Sequence, residues 1–157
     1  MIRRATVLAV GSLKGWAREG SEDYLRRLRR YFPVEVAEVA EEDLNRRTPE
    51  EVLMAESERL RRRLPEGAYV MALDRERGRP TSSTAFAERL ERLGLEGRSH
   101  VAFVIGGALG LDEALLRRAD ARVSFGPITL PHALARIVLL EQLFRAVKIS
   151  RGEKYHW

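Results

Sequence analysis

Apolar runs alternate with amphipathic stretches along most of the chain, and this alternation restricts the fold more than any other feature. Residues 5–10 form a short apolar strand closed by Gly11 and Ser12. Trp16, Tyr24, Leu25, Leu28 and Phe32 then stand among charges at helical spacing, which predicts an amphipathic helix over residues 16–31 that Pro33 ends. Residues 34–39 read Val-Glu-Val-Ala-Glu-Val, the pattern of a partly exposed strand in an outer position. Thr48-Pro49-Glu50-Glu51 combines an N-cap, a proline at the first helical position and a glutamate three residues after the cap, so a helix runs to about Arg63 before Pro65 and Gly67 stop it. Residues 68–73 make a third strand, 74–80 a polar turn, 82–93 a third helix and 101–105 a fourth strand. The rhythm is βαβαβαβ, which predicts an α/β fold with a largely parallel sheet covered by helices on both faces. Beyond it, Asp112 caps a short helix to about Ala119, residues 122–125 form a fifth strand, and the last helix starts near His132.

Two loops stand out. The fourth strand stops at Gly106-Gly107, a glycine turn where backbone can approach a ligand closely. The fifth leads into Gly126-Pro127-Ile128-Thr129-Leu130-Pro131-His132, where φ is fixed at both prolines. In an open α/β sheet ligands bind beyond the carboxyl ends of strands, so both loops are expected to line one pocket. The glycine spacing matches neither the dinucleotide fingerprint nor a P-loop, since no lysine and hydroxyl follow the last glycine.

Chemistry by elimination is narrow. The sequence holds 0 cysteines, which excludes disulfides, thiolate catalysis and cysteine zinc sites, and its 3 scattered histidines carry no metal signature. With 157 residues and 45% hydrophobic content, one domain spanning 1–157 is expected. No run of apolar residues is long enough to span a membrane and the opening lacks a signal core, so a cytoplasmic protein is expected. Of 28 basic residues only Lys14, Lys148 and Lys154 are lysine, and the net charge is +5. Arginine forks at that charge suit RNA phosphates, and they equally suit an arginine-rich solvated surface.

The last helix carries apolar residues at Leu134, Ile137, Val138, Leu139, Leu140, Leu143, Phe144 and Val147, wider than one buried stripe. Either a second copy covers the surplus, giving a twofold dimer, or the helix is central within one chain; the dimer is the favoured expectation. His132 sits at the opening turn of this helix, where the dipole disfavours a positive charge and leaves an imidazole able to accept a proton or to fix the loop. Glu141 precedes Arg145 by four, the spacing of a helix-surface ion pair. The chain closes on Tyr155, His156 and Trp157, rings on which an unstacked RNA base can stack.

The motifs FVIGGALGL, ITLPHALARIVLLEQLFRA and GEKYHW, in that order and preceded by TVLAVGSLKG and ALDRERGRP, resemble the RlmH-type 23S rRNA pseudouridine methyltransferases of the SPOUT superfamily over the whole chain. The resemblance implies a SPOUT-type fold with a carboxy-terminal trefoil knot, a homodimer, and methyl transfer from S-adenosyl-L-methionine to N3 of a pseudouridine in the helix 69 loop of 23S rRNA, with no metal. It assigns the methyl donor to Leu73, Gly106, Gly107, Phe125, Gly126, Pro127, Ile128, Thr129 and Leu130. His156, His132 and Tyr155 become the catalytic candidates, and Arg136, Arg145, Tyr155, His156 and Trp157 the contacts to RNA. Trp157 departs from the family's usual basic residue there, so stacking replaces a phosphate contact. The rival function on the same basic surface is a non-catalytic RNA-binding or ribosome-associated module.

Overall fold

The computed structural model describes residues 1–155; the expectations for His156 and Trp157 lie outside the described residues. In chain order the elements are β1 (Arg4–Val10), α1 (Gly15–Leu28), β2 (Val34–Val39), α2 (Pro49–Arg62), β3 (Tyr69–Leu73), β4 (Arg79–Pro80), α3 (Ser83–Leu95), β5 (His100–Ile105), α4 (Glu113–Arg118), β6 (Ala121–Ser124) and α5 (His132–Ser150). The strands form one sheet in the order β2-β1-β5-β3-β6-β4, with every pairing parallel. The expected α/β architecture is what the chain adopts, and β2, with its alternating glutamates, lies at an edge.

The pleat divides the core in two. Along β5, Val101, Phe103 and Ile105 join Leu28, Phe86, Leu90, Leu139 and Leu143 beneath α1, α3 and α5. Ala102 and Val104 face the other way and pack with Leu60, Leu115 and Leu116 beneath α2 and α4. Two helix starts obey their sequence signals: Thr48 and Glu51 form a reciprocal capping box, and the Asp112 carboxylate accepts from the Leu115 N–H at 2.8 Å.

Several expectations need correction. Helix α1 stops at Leu28, and Trp16 is 64% exposed rather than part of the buried stripe. The polar segment after β3 contains the two-residue strand β4, which pairs with β6, so this loop is stitched to the sheet. Leu140, a candidate for the face towards a second copy, is 2% exposed within its own chain. The apolar width of α5 is therefore largely used between α1 and α3 from Leu139 onward, and of the eight apolar residues named above Leu134, Ile137 and Val138 remain half-buried. Among the described residues no helix is long and apolar enough to cross a membrane.

Candidate active site

Strand β3 continues into α3 on one face of the sheet while β5 continues into α4 on the other, so their loops part at the carboxyl edge. A cleft of about 770 Å³ opens there, bounded by residues 73–77 after β3, 105–111 after β5, and the β6 loop as far as His132 and Ala135 at the start of α5. Every residue expected at the methyl donor lines it except Pro127, whose carbonyl instead accepts from Arg75 Nη1 at 3.4 Å.

Each wall has a local cause. Gly106 is required because a Cβ there would fall on the Gly110 carbonyl, where the turn folds back through a Gly107–Gly110 bridge and the Gly110 N–H donates to Gly107 O at 3.1 Å. A Cβ at Gly107 would meet Glu56 Oε1 at 2.7 Å and Val10 Cγ1 at 3.3 Å, so it would press into the protein. Gly126 has φ of 111°, which only glycine adopts without strain. Its N–H donates to the buried Ser124 hydroxyl at 3.1 Å.

His132 lies beside the turn that closes β1: a Cβ on Gly11 would stand 3.9 Å from its Nε2 and 3.5 Å from Glu41 Oε2. Behind the glycine turn, Glu56 is 2% exposed. Its Oε2 accepts from the Glu42 N–H at 3.0 Å, while Oε1 has no hydrogen-bond partner among the described residues. Burial raises its pKa above the usual carboxyl value, against the Glu42 hydrogen bond, which lowers it.

A family model described as "Predicted SPOUT methyltransferase" matches residues 3–156. The chain belongs to the SPOUT methyltransferase family. It is 68% identical over 158 residues, 100% of both chains, to the ribosomal RNA large subunit methyltransferase H of Rubrobacter xylanophilus. It is 49% identical over 157 residues to the protein of the same name from Pelotomaculum thermopropionicum, covering 97% of this chain and 98% of that one. Among solved structures, a probable methyltransferase from Bordetella pertussis superposes with a TM-score of 0.54 at 18% identity, covering 93% of this chain and 96% of that one, a likeness of fold.

Of the described residues expected to touch RNA, namely Arg136, Arg145 and Tyr155, none lines the cleft. Arg136 is 4% exposed and spends its fork internally, donating to the Gly11 carbonyl at 3.1 Å and pairing with Glu38 at 2.8 Å. In its own chain the Arg136 fork links α5 to the turn after β1 and to strand β2 rather than standing open to RNA. Arg145 pairs with Glu141 at 2.6 Å, the ion pair its spacing suggests, and stacks over the Tyr155 ring at 4.7 Å. Tyr155 packs edge-on against Phe144 at 5.1 Å, and its hydroxyl donates to Glu141 at 3.3 Å. Phe144 lies twelve residues beyond His132, about 18 Å along α5 at the helical rise, so Tyr155 stands away from the cleft of its own chain.

Sequence reasoning read residues 74–80 as a polar turn but left their side chains out of the site. Asp74 there accepts from the Glu76 and Arg77 N–H groups at 3.2 and 3.3 Å, and from Arg77 Nε at 3.1 Å. The signal was present in Asp74 four residues before Gly78, since an aspartate that caps its own turn is common before such a glycine. Glu56 left no signal: it reads as one more helix-surface glutamate.

Proposed function

We propose that this chain methylates large-subunit ribosomal RNA, taking the methyl group from S-adenosyl-L-methionine and placing it on N3 of a pseudouridine in the helix 69 loop of 23S rRNA. The observation that carries the reading is the cleft itself, built by the three strand-end loops that the family resemblance gives to the donor. Its size suits a ligand of that class. Leu73, Ile105 and Leu130 offer apolar contact to a flat adenine, and the backbone of the two turns offers edge hydrogen bonds. The full-length identity to relatives named for rRNA methylation supports the substrate.

The donor supplies an electrophilic methyl group on a cationic sulfur. The protein's share is to hold the base in line with that carbon, to exclude water, and to accept the N3 proton as the nitrogen attacks. His132 lines the cleft, which supports it as the acceptor of that proton, directly or through a water; His156 is the other candidate. The reading includes one SPOUT domain with its carboxy-terminal knot, working in the cytoplasm as a twofold dimer. Tyr155 supports the dimer, because a tail docked about 18 Å along α5 from His132 meets a base at the cleft only if that cleft belongs to a partner chain.

A thermal-shift panel of S-adenosyl-L-methionine, S-adenosylhomocysteine, ATP and FMN tests the donor. The two sulfur compounds should raise the Tm and the others should not. Stabilisation by FMN or ATP in their place would overturn the reading.

A further inference from the structure

The loop after β3 and the loop after β6 both line the cleft, and Arg75 joins them at several points. Its Nη1 donates to Thr129 Oγ1 at 2.7 Å and to the Pro127 carbonyl at 3.4 Å, while Nη2 pairs with Glu76 at 2.9 Å. Its own carbonyl accepts from the Ser124 hydroxyl at 3.2 Å. The two ties differ in kind. Ser124 is 3% exposed, so its hydroxyl is a fixed anchor at the end of β6. The Arg75 side chain is 44% exposed, so its bonds to Thr129 and Pro127 can break and be replaced by water at small cost. Between anchor and fastening lies Gly126, at a φ of 111° open only to glycine, its N–H and its carbonyl each 3.1 Å from the Ser124 hydroxyl. The segment from 124 to 129 is thus a strap fixed from Ser124 to Gly126 and fastened at Thr129.

We propose that Arg75 is a positioning residue that fastens this strap over the bound methyl donor and so sets how fast donor and spent donor leave the cleft, without touching the reacting atoms. The proposal rests on the donor reading above. An arginine suits the task because one planar fork reaches a hydroxyl and a carbonyl on one loop and a carboxylate on its own, which a lysine ammonium cannot do in one geometry.

The test uses the full-length protein with S-adenosylhomocysteine as probe, in four forms: unaltered, Arg75→Met, Thr129→Val and the double variant. Each single change should raise the dissociation rate about fivefold, the scale of one partly exposed charge-assisted hydrogen bond. The double variant should be no worse than Arg75→Met alone, since that change already removes the bond to Thr129 together with the bond to Pro127. Thr129→Ser, which keeps the hydroxyl, should return the rate to that of the unaltered protein. In methyl transfer, the loss should fall on the donor KM rather than on kcat. Unchanged rates in Arg75→Met, or effects that multiply in the double variant, would overturn the strap alone. Failure of the unaltered protein to bind S-adenosylhomocysteine would overturn the donor reading and the strap with it.

Discussion

Gly107→Ala separates packing from ligand clearance. The new methyl group would lie 2.7 Å from Glu56 Oε1 and 3.3 Å from Val10 Cγ1. The Glu56 carboxylate can rotate away only by weakening its 3.0 Å bond from the Glu42 N–H, a loss of about 1 kcal/mol. With the shift of Val10, the whole substitution should cost about 2 kcal/mol, within the range for overpacked sites. In a Glu56→Ala background only the contact with Val10 remains, so the same methyl group should cost about 1 kcal/mol. The coupling between the two positions is therefore expected to be about 1 kcal/mol, the share that Glu56 carries. Urea midpoints for the four proteins, at one protein concentration and with m checked for constancy, measure it. Titration with S-adenosylhomocysteine supplies the second readout: the double variant should bind about as well as Glu56→Ala alone. An equal cost of Gly107→Ala in both backgrounds would show that Glu56 is not the obstacle. A stable double variant that no longer binds the probe would return Gly107 to the ligand.

Glu56 also predicts a pH dependence: burial raises its pKa above the ordinary carboxyl value, so the folded chain holds this proton more tightly than the unfolded one. Its contribution is complete at pH below the ordinary carboxyl range and is lost as pH rises through the raised folded pKa, so Glu56→Gln should gain stability relative to the unaltered protein as pH rises above that range, and a difference that stays constant with pH refutes the assignment. At the half-buried start of α5, Ile137→Glu should yield a folded monomer by light scattering while the buried Leu140→Glu unfolds the chain, whereas an unaltered protein that is monomeric at micromolar concentration would end the dimer account. Removing residues 155–157 should forfeit about 1 kcal/mol of aromatic packing on Phe144, leave S-adenosylhomocysteine binding intact and lower methyl transfer more than tenfold; transfer at the normal rate would make the tail a docked terminus.

The fold was legible because its signals are local and physical. Apolar runs such as residues 101–105, caps at Thr48 and Asp112, and the glutamates of β2 each point to the element and position that the chain adopts. The two cleft loops were legible as loops for the same reason, since Gly106 and the prolines flanking Thr129 mark turns at strand ends. What stayed hidden depends on contacts across the chain. Arg136 looks like a basic side chain offered to RNA until Glu38 and the Gly11 carbonyl, both distant in sequence, are found around it. Leu140 looks like surplus apolar surface until α1 and α3 close over α5. Arg75 reads as turn polarity, and its partner Thr129 stands fifty-four residues away. Spacing along an element says which face a residue takes, but not what will stand opposite it.

The central claim is tested most directly by mapping the product. Large ribosomal particles whose 23S rRNA lacks its methyl groups would be incubated with the protein and S-adenosyl-L-methionine, and the RNA fragments then analysed by mass spectrometry. The account predicts one added methyl group, confined to the helix 69 fragment and carried on N3 of a pseudouridine. A methyl group in another fragment, on another atom, or none at all from a protein that binds the donor, would contradict it.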